Sequence, residues 1–201
     1  MTTGRLVVVM VAAVAAAVIT IVVAVRIDRS ATGPSSRATT TSVSTPVAPA
    51  VPDSSAAPAR VTIPAIGVDA PLVAVGLQPD GAMQTPDFGN AGWYDRGPQP
   101  GEPGPAVVVA HVDSKAKGPD VFHRLRELRA GDRVTVHYPD HSTTFAVTAK
   151  EQAAKTELPA GRIWNTTGTP VLRLITCGGA FDRAAGSYRD NVIVYADKLV
   201  A

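Results

Sequence analysis

The chain has a single cysteine, Cys177. Thiolate sulfur is a strong nucleophile, but a free thiol with a pKa of about 8.5 is little ionised at neutral pH. A nearby imidazole can form the ion pair that makes the thiolate and can later protonate a leaving group. Four histidines are present, at 111, 123, 137 and 141. His111 is the candidate partner, because it closes the very apolar run from Ala106 to Ala110. His123, His137 and His141 fall in a helical stretch and around a hairpin turn, and their spacing makes no metal site. A third candidate, Arg189, follows the cysteine by 12 residues. Beside a Cys/His pair its guanidinium can hold a substrate carbonyl or stabilise a tetrahedral oxyanion. Each of the three also has an ordinary structural reading. A free cysteine is often a small buried hydrophobe, a strand-end histidine is often only packed, and an arginine at a strand start is usually solvated.

The elements that must position these residues read as short strands. Val61-Thr62-Ile63 precedes Pro64, and a second run extends from Pro71 to Leu77. Pro79-Asp80-Gly81 has the composition of a turn. Ala106 to Val112 is almost all Val and Ala, as in a strand covered on both faces. Arg133 to Tyr138 and Thr144 to Lys150 alternate across Pro139-Asp140 and predict a hairpin. Val171 to Thr176 and Asn191 to Ala196 are two further strands, with Cys177-Gly178-Gly179 expected to end the first at a turn. Val121, Leu125 and Leu128 at helical spacing predict one helix over 121–129, stopped by Gly131. The 17 Gly and 17 Pro punctuate the connections. The sum is a mostly antiparallel, barrel-like β domain.

The N-terminal part is of another kind. Leu6 to Val25 is apolar apart from Thr20 and uncharged. Twenty helical residues span roughly 30 Å, the thickness of a bilayer's hydrocarbon core. A signal-peptide core is shorter, about 7–15 residues, so residues 1–27 are expected to be an uncleaved membrane anchor. Residues 28–59 are rich in Ser, Thr, Ala and Pro and predict a linker. Residues 60–201 form the folded domain. It holds 15 Lys+Arg and 15 Asp+Glu, while the whole chain has a formal net charge of +2. No clustered basic face of the kind nucleic acid requires is visible. A lone thiol outside the cytoplasm, where thiols tend to oxidise or pair, is itself unusual.

Leu174-Ile175-Thr176-Cys177 resembles the Leu-x-Thr-Cys signature of sortases, the cysteine transpeptidases of Gram-positive cell surfaces. Ala110-His111 upstream and Arg189 downstream match that family's His, Cys, Arg order. Val61 to Val68, Gly92-Trp93-Tyr94, His111-Val112-Asp113-Ser114 and Tyr188-Arg189-Asp190-Asn191 resemble the actinobacterial class F group. The resemblance implies an eight-stranded β-barrel with one or two short helices, behind an N-terminal transmembrane helix. It also implies a membrane-bound, extracytoplasmic enzyme that cleaves an LPXTG-type sorting signal through a Cys177 thioester. The acyl group would pass to an amine of the cell envelope, such as a cell-wall precursor. Substrates would be surface proteins with a C-terminal sorting signal, and no cofactor or metal is implied. His111 would act as acid and base, and Arg189 would steady the substrate or oxyanion. Thr176 and Asp113 would support the site. The segment from Lys155 to Thr169 would wall the peptide groove, with Leu158, Ile163 and Trp164 as apolar contacts that can equally be core. L,D-transpeptidases place His-Gly directly before their cysteine, where Thr176 stands here, and papain-like enzymes place Cys before His in the chain. The alternative outside catalysis is an anchored β-barrel binding module or an inactive relative.

Overall fold

The computed structural model describes residues 56–165 and 168–200. The anchor expected at 1–27 and the linker before position 56 lie outside these residues. Among the described residues, no helix is long and apolar enough to cross a membrane.

Ten strands are present. They are β1 (Arg60–Ile63), β2 (Val68–Val75), β3 (Ala91–Tyr94), β4 (Gly104–Val109), β5 (Asp113–Ser114), β6 (Gly118–Pro119), β7 (Arg133–His137), β8 (Ser142–Ala154), β9 (Pro170–Asp182) and β10 (Ser187–Lys198). Eight of them close a barrel in the order β1-β2-β3-β4-β9-β10-β8-β7, and β5 pairs only with β6. The mostly β, eight-stranded barrel expected from the sequence is therefore the architecture observed. Most seams are antiparallel, but β2–β3 and β4–β9 are parallel. The β4–β9 seam matters most for function, because a parallel pair presents both strands' C-terminal ends at the same rim.

Side-chain alternation divides the core in two. Val61 and Ile63 of β1, Val134 and Val136 of β7, and Leu172 and Leu174 of β9 point inward, with Phe122, Leu125 and Phe145, and all are fully buried. A second cluster covers the outer face of β4, β9 and β10. There Val107, Ile193 and Tyr195 meet Ile163, with Val109 and Ile175 packed alongside. Fully burying such a side chain contributes roughly 1.5–3 kcal/mol. Strands buried on both faces lose the polar/apolar alternation, which explains why Ala106–Val109 reads as a continuous apolar run and why β9 has Val171, Leu172 and Leu174 buried around a buried Arg173.

The structure departs from three local expectations. The 121–129 helix is not formed. Val121–Arg124 is a turn, and only Leu125–Glu127 is helical, as one 3₁₀ turn. Its Leu125 and Leu128 are buried as the spacing suggested, but so short a segment can satisfy a helical period without being an α-helix. Cys177 does not end its strand, since β9 continues five residues beyond it to Asp182. Arg189 does not precede the last strand but lies inside β10, at a bulge between Tyr188 and Asp190. The glycines after the cysteine permit this continuation. Gly179 has φ +72°, and a Cβ there would lie 2.2 Å from Asp190 Oδ2, so the strands close together only with glycine at that position.

Candidate functional site

His111, Cys177 and Arg189 belong to three neighbouring segments of one rim. In the parallel seam, Val109 of β4 lies beside Ile175 of β9. Beyond β4 the chain stays against β9, because Ala110 N donates to Ile175 O at 3.3 Å and Thr176 Oγ1 donates to Ala110 O at 2.7 Å. Continued by two residues, this register brings His111 level with Cys177. On the other side of β9, Cys177 lies opposite Asn191 of β10. Thr176 is buried, so its hydroxyl serves the seam that carries His111.

His111 is half-buried, and its ring is held from one side by residues 86–89. Nε2 lies 3.0 Å from Pro86 O. A carbonyl only accepts, so Nε2 carries the proton and donates, and the neutral imidazole keeps its lone pair on Nδ1. Nδ1 is thus the atom free to take a proton and return it. Phe88 stacks on the imidazole, with ring centroids 6.2 Å apart and an interplanar angle of 25°. Lys117, in the β5–β6 turn, places Nζ 5.0 Å from the Phe88 ring centroid. Behind the ring, Phe122 N donates to His111 O and Asp120 N donates to Val112 O, both at 3.0 Å.

Cys177 is partly exposed and unpaired. Tyr188 stands on β10, across the β9–β10 seam. The phenol is held above the ordinary tyrosine range first by its hydrogen bond to Asp113, then by burial, the Asp113 charge and Cys177. Tyr188 OH donates to Asp113 Oδ2 at 2.7 Å. Phe181 packs edge-on against the Tyr188 ring, with centroids 5.2 Å apart. Tyr188 therefore ties the strand of Arg189 to the turn that follows His111.

Arg189 is exposed and bound to one carboxylate. Nη2 and Nε lie 3.2 and 3.3 Å from Asp182 Oδ2. The other oxygen, Oδ1, accepts from Ala184 N and Ala185 N and shapes the β9–β10 turn. These two backbone donors, and then Arg189, hold the Asp182 carboxyl below the usual carboxylate range. Nη1 of Arg189 has no hydrogen-bond partner among the described residues.

An apolar floor runs from this rim along the outer face of the barrel. Arg173, Ile175 and Cys177 alternate along β9 on the face opposite Leu172 and Leu174. Beyond Ile175 the floor is Val109, Ile193 and Tyr195. Between β8 and β9 a 3₁₀ turn (Lys155–Glu157) and helix α1 (Ala160–Ile163) form the adjoining wall. Leu158 and Trp164 are exposed there, 40% and 42% accessible, and Trp164 sits edge-on to Tyr94 with centroids 5.6 Å apart. Ile163 is different. It is buried in the outer core cluster, so it holds the wall down and offers no contact surface.

The wall is clamped by charge as well. The guanidinium carbons of Arg162 and Arg173 lie 4.6 and 4.8 Å from the Tyr195 ring centroid. Tyr195 OH donates to Glu151 Oε1, and Arg162 Nη1 donates to Glu151 Oε2 at 2.6 Å. Burial, followed by this contact with Glu151, pushes the Tyr195 phenol up to about 12. Arg173 is itself buried, which lowers its pKa, and its Nη2 reaches Asn165 Oδ1 at 3.1 Å. Among the described residues, no group of three or more His, Cys, Asp or Glu could hold a metal ion.

A sortase-domain family model matches residues 61–199. The chain belongs to the sortase family. No curated protein matches it. Solved sortase structures share the fold at low sequence identity. A pilus-related sortase C of group B Streptococcus is 17% identical, with TM-score 0.55, covering 73% of this chain and 69% of that one. Sortase C-1 of Actinomyces oris is 19% identical, with TM-score 0.55 and coverages of 71% and 74%. A sortase D5 transpeptidase of Clostridium perfringens is 17% identical, with TM-score 0.54 and coverages of 72% and 79%.

Reading the sequence alone missed Pro86, Phe88, Asp120 and Asp182, and assigned Tyr188 no role. Pro86 acts through its backbone carbonyl and leaves no side-chain signal. Phe88 lies in a turn, Asp120 just after β6 and Asp182 at the end of β9, and their contacts are long-range or depend on a hairpin register. Only the Tyr188-Arg189-Asp190-Asn191 segment drew attention to its neighbourhood.

Proposed function

We propose that this sortase-family chain is a cysteine transpeptidase, of the class F type its motifs resemble. Its domain would be held outside the cytoplasmic membrane by residues 1–27 and spaced from it by 28–59. The observation that supports this most is the closeness of three segments at one rim. His111 follows β4, Cys177 lies in β9, and Arg189 lies in the β10 bulge.

In the reaction, Nδ1 of His111 takes the Cys177 proton, and the thiolate attacks the Thr–Gly carbonyl of an LPXTG-type sorting signal. The tetrahedral oxyanion is met by Nη1 of Arg189, since Asp182 already occupies Nε and Nη2. The C–N bond then breaks, and the His111 imidazolium gives its proton to the departing glycine amine. A thioester remains on Cys177. An envelope amine next attacks that thioester, with His111 taking its proton, and the C–S bond breaks to release the Cys177 thiolate, which recovers its proton from the His111 imidazolium. Asp113, bonded to Tyr188, ties the chain after His111 to β10, and Thr176 holds the adjoining backbone. The substrate lies along the part-exposed Val109 and Ile175, against Leu158 and Trp164.

The test uses the full chain in detergent with a fluorogenic LPXTG peptide and a glycine-based amine, followed by intact mass. Wild type is expected to form a thioester and release the C-terminal fragment, and Cys177→Ala to do neither. Cleavage by Cys177→Ala, or a wild type that shows neither cleavage nor acylation across a panel of sorting-signal peptides, would sink the proposal.

A further inference from the structure

We propose that Asp120 is the positioning residue for His111, fixing which imidazole nitrogen faces the thiol. The argument rests on the Cys177/His111 reading above and adds a member to it. Asp120 holds both sides of the histidine. Its backbone N–H donates to Val112 O, the residue directly after His111, while Phe122 N, two residues on, donates to His111 O. Its side chain reaches in the other direction, and Oδ1 accepts from Gly89 N at 3.0 Å across 31 positions of sequence. Gly89 is the end of the segment whose Pro86 carbonyl accepts the hydrogen bond from His111 Nε2–H and whose Phe88 stacks on the ring.

The Gly89 tether acts on the turn just before β3, whose first residue, Ala91, is buried and paired with Leu72. Gly89 has φ +94° and open space around its Cα, so its own packing does not fix it. Asn90 N bonds to Asp87 O and shapes the turn internally, but that bond does not attach the turn to His111. Pro86 is anchored separately by packing over Gly92, where a Cβ would lie 3.2 Å from Pro86 Cδ. Without the carboxylate, the turn at 87–90, held at Pro86 and at Ala91, loses its backbone bond to Asp120 between those two anchors. The carbonyl and the phenyl ring then lose their common alignment on the imidazole. An imidazole without a fixed acceptor at Nε2 populates both neutral tautomers, and only one leaves Nδ1 free for Cys177.

Only one carboxylate oxygen is needed for this. Oδ2 of Asp120 is buried with no partner among the described residues, so a neutral side chain with one oxygen in the Oδ1 position serves equally. Asp120→Asn is therefore the rescue variant, and Asp120→Ala removes the tether.

The experiment compares the full-length chain, in detergent, as wild type, Asp120→Ala and Asp120→Asn. Asp120→Ala is expected to lower kcat on the LPXTG peptide by about 10–100-fold, the scale of a small misplacement of a reacting group, with KM within about 2-fold. Asp120→Asn is expected to stay within about 3-fold of wild type. In ¹⁵N-labelled protein, the His111 ring nitrogens should report the Nε2–H tautomer in wild type and Asp120→Asn, and a mixture in Asp120→Ala. Should Asp120→Ala not fold, Asp120→Glu displaces the carboxylate by one methylene and is read the same way. An unchanged His111 tautomer and kcat in the tether-breaking variant overturns the proposal, as does an Asp120→Asn variant as impaired as Asp120→Ala. The nitrogen spectra need no substrate. A wild type that cleaves nothing but shows the fixed tautomer, lost in Asp120→Ala, counts against the transpeptidase reading and supports the role of Asp120.

Discussion

The two flanks of Cys177 are built differently. On the β4 side, His111 is half-buried, its backbone is gripped by Asp120 and Phe122, and its ring is held by a carbonyl and a phenyl group. On the β10 side, Arg189 is two-thirds exposed, and a single carboxylate at a hairpin turn holds it. The difference suits the roles proposed for the two groups. A proton carrier works only if one nitrogen keeps one direction through two transfers. A cation that steadies developing charge must first admit the substrate, and an exposed ion pair contributes little to stability, with a median of about 0–1 kcal/mol. The first flank is preset, and the second is free to adjust.

The largest expected effects test this division directly. His111→Gln keeps a side chain able to hydrogen-bond to Pro86 O but cannot carry a proton. It should reduce acyl transfer by about 10²–10⁴-fold, with thioester formation, read by rapid-quench mass spectrometry, falling in step. Arg189→Ala should cost about 10²–10³-fold in kcat, the range for loss of one oxyanion donor. Arg189→Lys should recover only part of this, because a point charge cannot serve Asp182 and the substrate together as the guanidinium fork does. A loss from Arg189→Ala confined to KM would recast the residue as a binding group and weaken the contrast between the flanks.

Tyr188 joins the flanks, so its removal should be intermediate. Tyr188→Phe deletes the hydrogen bond to Asp113 and keeps the ring against Phe181. The expected loss is about 2–10-fold in kcat, the scale of one hydrogen bond of roughly 0.5–1.5 kcal/mol. Steady-state kinetics checks this. No change would mean that the flanks are positioned independently.

Sequence patterns carried the fold further than they carried the site's supports. Barrel strands alternate or run apolar according to whether one or both faces are covered, and that pattern is local. The 133–150 hairpin and the β9 run Val171–Leu174 were legible for that reason. Cys177, His111 and Arg189 were legible because their residue types are chemically unusual in their context. Their supports were not. Thr176 to Ala110, Gly89 to Asp120, and Nε2 of His111 to Pro86 O each span 25 or more positions, and all three have a backbone atom as one partner. The false helix at 121–129 has the same origin. Leu125 and Leu128 match a helical period because the turn bearing them folds into the barrel mouth.

The smallest expected effect concerns the Asp182 tether and separates two roles for it. The folded-state pKa of this carboxyl is depressed, first by Ala185 N–H, then Ala184 N–H, then Arg189. Its contribution to the turn is therefore complete above the ordinary value of 3.8 and is lost only as pH falls through the lower folded value. Mild acidification to about pH 5 should therefore leave the Asp182–Arg189 pair intact. Asp182→Asn keeps a carbonyl oxygen for the two turn amides and removes the charge that holds Arg189. If the carboxylate presents Nη1 to the substrate, this variant should lower kcat/KM by about 2–5-fold, a screened surface pair's worth, and the gap should narrow as added salt weakens the wild-type pair. If the carboxylate instead restrains Arg189 from the substrate, the same variant should be faster than wild type. A rate measured across salt concentration decides between them by its sign. A faster variant would mean that the adjustable flank is held back in the free protein, with substrate binding drawing Arg189 from Asp182 before the chemical step.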